Sequence, residues 1–239
     1  MRISILTLFP ELFENFFATS IVGRACREGT VSYDLVQVRD FAHDVHRTVD
    51  DKPFGGGAGM VMKCQPAFDA INSVRTDDSH IVLLSAKGVP YTQKKAHELA
   101  KKSHLIFLCG HYEGVDERIV QRCDEEISIG DYVLTGGELG AMVITDSVVR
   151  LIPGVIRSDS ICEESYENGL LEYPQYTHPA DYQGDPVPEV LLSGHHENIR
   201  KWRLQQSLLT TRRVRPDLFE AHELTDEEKK LLEAADHGE

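Results

Sequence analysis

Apolar runs rich in β-branched residues recur at 3–9, 31–38, 81–84, 105–108 and 126–129, and stretches of amphipathic helical spacing fall between most of them, at 10–17, 65–74, 92–101, 115–123 and 139–152. Short continuous apolar runs are the mark of strands buried on both faces. Alternating them with helices predicts an α/β domain on a mainly parallel sheet. In the last of these helices Met142, Ile144, Val148, Val149 and Leu151 supply the apolar surface, and Pro153-Gly154 ends it. The pattern then stops: residues 157–168 are polar and acidic without a period, and 169–188 are rich in Pro, Tyr and Gly. Helical spacing returns at 196–209, through Ile199, Trp202, Leu208 and Leu209, and Thr225 with Glu228 forms a capping box ahead of a helix at 229–235. The predicted organisation is a domain over 1–156, a linker over 157–171 and a small, mostly α-helical domain over 172–239.

Composition changes this picture little. At 239 residues and 41% hydrophobic content the chain has material for one large domain and an appendage. The opening MRISILTLFPELF is too short and too soon interrupted by Pro10 and Glu11 for a signal peptide or a membrane span, so a cytosolic protein is expected. The 5 cysteines (Cys26, Cys64, Cys109, Cys123, Cys162) form no C-x-x-C pair, and we expect reduced thiols with neither a disulfide framework nor structural zinc.

Charge matters more. A formal net charge of -14 argues against nucleic acid as a partner, because phosphate binding needs Lys and Arg. The distribution weakens that objection. Between 195 and 215 the chain carries Arg200, Lys201, Arg203, Arg212, Arg213 and Arg215 against the single acid Glu197. Such a patch attracts an anion over a Debye length of about 8 Å at physiological salt.

The candidate chemistry lies in glycine-punctuated loops. Cys109-Gly-His-Tyr-Glu-Gly114 follows one apolar run, and 128–138, Ser-Ile-Gly-Asp-Tyr-Val-Leu-Thr-Gly-Gly-Glu, follows the next and precedes a helix. One such loop could be only a strand-to-helix turn. Two in succession converge on the same end of a parallel sheet and form opposite walls of a crevice suited to a nucleotide-like cofactor. Neither matches G-x-G-x-x-G, and no P-loop occurs, which disfavours a Rossmann oxidoreductase and a P-loop NTPase. A third cluster, Phe54-Gly-Gly-Gly-Ala-Gly-Met60, is either a surface loop or a lid and backbone nest for phosphate or a flipped base. His43, His46, Asp50 and Asp51 beside it lack a regular helix to hold a metal and suit contacts to nucleic acid better. Arg150 at a helix end and Glu163 and Glu164 in the linker would, by themselves, be read as solvated charges.

Six motifs together resemble the bacterial tRNA (guanine-N1)-methyltransferases. They are Ile5-Leu-Thr-Leu-Phe-Pro-Glu, His46-Arg-Thr-Val-Asp-Asp with Pro53-Phe-Gly-Gly-Gly, Cys109-Gly-His-Tyr-Glu-Gly, Ile129-Gly-Asp-Tyr-Val-Leu-Thr-Gly-Gly-Glu-Leu, Tyr173-Pro-Gln-Tyr-Thr and Ser193-Gly-His-His-Glu-Asn-Ile-Arg-Lys-Trp-Arg. The resemblance spans almost the whole chain. It implies a SPOUT-type α/β fold with a deep trefoil knot, an exception to the rule that chains do not thread loops. It also implies transfer of a methyl group from S-adenosyl-L-methionine to N1 of the guanine 3′ of the anticodon. Leu83, Leu84, Ala86, Gly110, Tyr112, Glu113, Gly114, Ile129, Gly130, Asp131, Tyr132, Val133, Leu134, Gly136 and Gly137 would hold the methyl donor. His46, Asp50, Gly55, Gly56, Gly57 and Gly59, with the basic helix at Arg200, Lys201 and Arg203, would meet the tRNA anticodon stem-loop.

By the same resemblance Arg150 would stabilise charge on guanine O6 and Glu164 would take the N1 proton, with Glu163 a weaker candidate. Here Glu164 stands where the family usually has Asp, and Ala86 and Ala58 stand where Pro is common. A homodimer with a composite active site is implied, with no metal and no membrane partner. A non-catalytic RNA-binding protein that kept the fold is the alternative.

Overall fold

A computed structural model describes residues 1–157 and 164–237. The chain forms two units, Met1–Ile156 and Arg157–Glu239.

The first unit is built on strands β1 (Arg2–Thr7), β2 (Ser32–Gln37), β3 (Asp50–Asp51), β4 (Val61–Met62), β5 (Ser79–Pro90), β6 (His104–Cys109) and β7 (Glu125–Ser128). Five of them form one sheet in the order β2-β1-β6-β5-β7, every neighbouring pair parallel, while β3 and β4 make a separate antiparallel pair. Side chains alternate across the sheet. Ile3, Ile5, Val82, Leu84, Leu105 and Phe107 feed one core, and Leu6, Ile81, Leu83, Ile106 and Leu108 feed the other. Both faces are covered, which is why these strands read as unbroken apolar runs. Helices α1 (Glu14–Ala18), α2 (Ser20–Arg27), α4 (Gln93–Leu99) and α6 (Glu138–Val149) lie over the first face; α3 (Cys64–Val74) and α5 (Glu117–Val120) lie over the second.

The predicted strands and most predicted helices are present, with three differences. The segment 10–17 splits into a 3-10 turn, Pro10–Phe13, and α1, and α2 follows it unforeseen. The helix predicted at 115–123 keeps only the four residues of α5. Strand β5 runs well past 84 because it is interrupted rather than ended: Leu84 and Val89 both face Ile127, so 85–88 bulges out of the ladder.

A string of polar groups closes the amino end of the sheet. Asp34 accepts from Arg2 Nε at 2.7 Å and from Ser4 Oγ at 2.9 Å. Ser4 Oγ lies 2.9 Å from His104 Nε2, and His104 Nδ1 lies 2.8 Å from Ser79 Oγ. Four strands are thus linked at a buried histidine. Because Ser4 gives its proton to a carboxylate, it must accept from His104, which places the imidazole proton on Nε2 and leaves Nδ1 to accept from Ser79.

The second unit is mostly helical: Glu189–Leu192, His196–Val214, Pro216–Ala221 and Asp226–His237, with a small hairpin of Asp181–Tyr182 and Asp185–Pro186. Its core gathers Leu170, Leu208 and Leu232. Leu171 N–H donates to Thr211 Oγ1 at 2.8 Å, so residues 170 and 171 pack into this unit. The capping box forms as read, Thr225 N–H donating to Glu228 Oε2 at 2.7 Å and Glu228 N–H to Thr225 Oγ1 at 3.3 Å. Among the described residues no helix is long and apolar enough to cross a membrane.

Candidate functional site

The bulge within β5 and the loops that leave the carboxyl ends of β6 and β7 enclose a cleft of about 320 Å³. The chain runs from β5 to β6 on one side of β5 and then to β7 on its other side. Loops diverge at such a reversal and leave a crevice between them. The bulge after Leu84 forms one wall with Ser85, Ala86 and Lys87; Gly110 to Val115 form the second, and Glu126 to Gly130 with Tyr132 to Gly137 the third.

Glycine is required where the second and third walls meet. A Cβ on Gly137 would lie 2.8 Å from Cys109 Cα and 3.0 Å from Gly110 N. The two backbones touch there, and Gly137 N–H donates to Gly110 O at 2.8 Å. His111 and Gly136 add an antiparallel bridge. Tyr112 sits at φ 62, uncommon for a residue with a side chain, and its hydroxyl accepts from Arg39 Nη2 at 3.2 Å.

The lining mixes exposed apolar surface with buried polar atoms that lack partners. Tyr132, Val133 and Leu134 are all exposed, Val133 at 86%. His111 Nδ1 and Glu126 Oε1 are buried without a hydrogen-bond partner among the described residues, and Lys87 Nζ stands 4.0 Å from that Glu126 oxygen. Unsatisfied buried polar atoms are rare in native proteins, so in a cleft they mark where a ligand's own polar groups belong. Below the floor the buried Glu138 accepts from Thr7 Oγ1 at 2.8 Å. Burial, with Glu138 nearby, pushes the Cys109 thiol well above its ordinary range, which leaves it no nucleophile.

Every residue named from sequence for the cofactor lines this cleft except Asp131, which is exposed beside it. Sequence reasoning passed over Ser85, Lys87, His111, Glu126, Ser128 and Thr135. His111, Ser128 and Thr135 lie inside the quoted motifs. Lys87 and Glu126 had no local signal, because only the bulge brings them together.

The glycine-rich segment 54–60 is joined to the cleft. Glu113 N–H donates to Met60 O and Met62 N–H to Gly114 O, each at 3.0 Å. A Cβ on Gly59 would lie 2.3 Å from Glu113 Cγ, so the segment passes directly against the second wall. Gly55, Gly56, Gly57 and Gly59 all have positive φ. Asp50 belongs to β3, facing Met62, and the turn at His46 is held by Asp44, which accepts from His46 N–H at 3.0 Å and Thr48 Oγ1 at 2.8 Å. The Thr48 hydroxyl leads the groups that hold the Asp44 carboxyl below its usual range.

Arg150, half-buried, caps the carboxyl end of α6, its N–H donating to Asp146 O at 3.2 Å. Glu164 belongs to the second unit, its carbonyl accepting from Glu167 N–H at 3.3 Å. Glu163 and Cys162 lie outside the described residues. In the basic helix, Arg200 is bound by Glu197 and Glu227, Lys201 lies 3.5 Å from Glu197, and the Arg203 guanidinium sits 4.8 Å over the Tyr173 ring. Arg200 and Lys201 thus have acidic neighbours within their own unit, while Arg203 rests on an aromatic ring. Among the described residues no three His, Cys, Asp or Glu side chains are grouped to hold a metal.

A family model described as tRNA (Guanine-1)-methyltransferase TrmD matches residues 1–221. A Dictyoglomus turgidum protein named tRNA (guanine-N(1)-)-methyltransferase is 55% identical over 98% of this chain and 96% of its own length. Proteins of the same name from Ruminiclostridium cellulolyticum and Anoxybacillus flavithermus are 58% and 55% identical, over 92% and 98% of this chain and 96% and 97% of theirs.

Proposed function

Because the chain belongs to the tRNA (guanine-1)-methyltransferase family, we propose that it methylates N1 of the guanine 3′ of the anticodon in tRNA, with S-adenosylmethionine as donor. The observation that carries this reading is the three-walled cleft, whose glycines keep two backbones in contact and whose rim is apolar. The residues present fit such a donor. Leu83, Leu84, Ile129 and Leu134 offer apolar surface to an adenine, and His111 Nδ1 and Glu126 Oε1 offer unused polar atoms to a ribose and an amino-acid tail. Bound there, S-adenosylmethionine supplies an electrophilic methyl on a sulfonium.

The chain's own residues supply the rest. Guanine N1 carries a proton at neutral pH and is a poor nucleophile until it loses it. Glu164 takes that proton, and the Arg150 guanidinium holds the negative charge that builds on O6, an interaction stronger in the transition state than before it. General base catalysis is typically worth about 10² to 10⁴-fold. The glycine segment 54–60, with His46 and Asp50, faces the RNA, and the target base leaves its stack to reach the cleft. In this reading the cleft walls are threaded as a trefoil knot, and two chains pair so that Arg150 of one serves with Glu164 of the other. The relatives' shared name favours catalysis over a binding-only role.

Calorimetry with S-adenosylmethionine and NAD, followed by mass-spectrometric mapping of the methyl group on transcribed tRNA, tests the reading. We expect donor binding, no NAD binding, and one methyl on N1 of the guanine after the anticodon. An NAD isotherm, or a purified protein that labels no transcript, overturns it.

A further inference from the structure

The arginines of helix His196–Val214 fall into different situations. Arg200 is gripped by two acids, Nε and Nη2 donating to Glu197 at 3.0 and 2.9 Å and Nη1 to Glu227 at 3.3 Å. Arg212 has one acid, Asp236, which receives Nη2 at 2.8 Å and Nη1 at 3.2 Å in a two-pronged pair. The next residue, Arg213, is exposed, and its side chain makes no ion pair or hydrogen bond among the described residues. Gln206, Thr210 and Arg213 follow one another at four and three residues and so share a helix face. With Leu209 and Arg212 they line a shallow depression.

Asp236 comes from the terminal helix Asp226–His237, which is fixed alongside by Leu232 in the unit's core and by Gln205 Nε2 donating to Leu231 O at 2.8 Å. The helix that carries the acid is therefore anchored a turn earlier, independently of the pair with Arg212. That pair is open to water, its side chains 41% and 55% exposed. Exposed pairs of this kind are weak and exchange readily. A guanidinium that receives a carboxylate through two parallel N–H groups receives a phosphate in the same way.

We propose that the face formed by Gln206, Thr210, Arg212 and Arg213 receives backbone phosphates of the RNA substrate, and that Asp236 occupies Arg212 until a phosphate displaces it. This rests on the tRNA methyltransferase reading and names the surface through which the second unit meets the RNA. Arg213 is open to any polyanion. Arg212 is available only to one that outcompetes a tethered carboxylate, so the acid discriminates against weak, accidental ligands.

The test is binding of a transcribed tRNA to the full chain by fluorescence anisotropy across 50–200 mM salt, with circular dichroism to confirm that each variant is folded. Asp236→Asn is expected to tighten binding about two- to fivefold and steepen the salt slope by up to about one unit; Arg213→Gln should weaken binding and flatten the slope by about one. Glu233→Gln, an equal charge change at an exposed acid of the same terminal helix, should do much less than Asp236→Asn. Adding Asp236→Asn to Arg212→Gln should bring no gain. If Asp236→Asn matches Glu233→Gln, if its gain persists without Arg212, or if Arg213→Gln leaves the slope intact, the proposal falls. Methylation by the wild type, measured on the same transcript, separates the two failures: an active wild type with unresponsive variants overturns this inference alone, and a wild type that neither binds nor methylates overturns the reading beneath it.

Discussion

At the scale of single residues, the proposed chemistry rests on Arg150 and Glu164, and neither was recognisable from its surroundings in sequence. A lone arginine at a helix end and an acid in a polar stretch are ordinary surface residues, and only the resemblance to a known family picked them out. Their roles separate kinetically. Arg150→Ala should lower turnover by about 10²-fold or more while donor affinity measured by calorimetry stays within a few-fold, because the group acts on charge that exists only during reaction. Glu164→Gln should flatten the pH dependence of single-turnover methylation, since an amide has no proton-accepting state to titrate. A retained wild-type profile would move the base elsewhere. The cleft glycines were legible for the opposite reason: a residue with no side chain reports directly that something comes close, and at Gly137 that something is the backbone at Cys109 and Gly110.

At the scale of elements, Gly137→Ala should weaken donor binding about tenfold or more, because overpacking two touching backbones costs about 1–3 kcal/mol and the two walls must part to absorb it. Calorimetry reads this directly. The polar string across β2, β1, β6 and β5 gives a different kind of prediction. Burial, and then the nearby Arg2 charge, lower the His104 pKa below its ordinary value. The folded state thus resists a proton that the unfolded chain accepts near pH 6.5. Stability is therefore full above that pH and declines as pH falls from about 6.5 through the depressed folded value. Thermal unfolding between pH 7 and 5.5 should show the decline in the wild type and a flatter profile in His104→Asn, which has no proton to gain. Elements of this length were legible because burial on both faces leaves an uninterrupted apolar run. The bulge at 85–88 was not, since Ser-Ala-Lys-Gly looks the same whether a strand stops or detours, and pairing with β7 decides which.

At the scale of the molecule, two units separate near residue 156, where the apolar period disappears from the sequence. Net charge misled more than it helped. The formal -14 and the run of arginines after 195 invite opposite conclusions, and ion pairs such as Arg200 with Glu227 show that acids and bases distant in sequence cancel locally. The proposed pairing of chains has its own test. Mixing Arg150→Ala and Glu164→Gln protein after joint refolding should recover about a quarter of wild-type turnover, because half the pairs are mixed and each mixed pair regains one intact site of two. Activity no higher than the mean of the two parents would place both groups in one chain.

The hydrogen bonds from Glu113 to Met60 and from Met62 to Gly114 fasten the glycine-rich segment 54–60 to a wall of the cleft. Neither loop can shift without drawing on the other, so under the proposed function the two substrates share one mechanical support. Thermodynamic reciprocity then requires that whatever factor the first arrival imposes on the affinity of the second, the second imposes on the first.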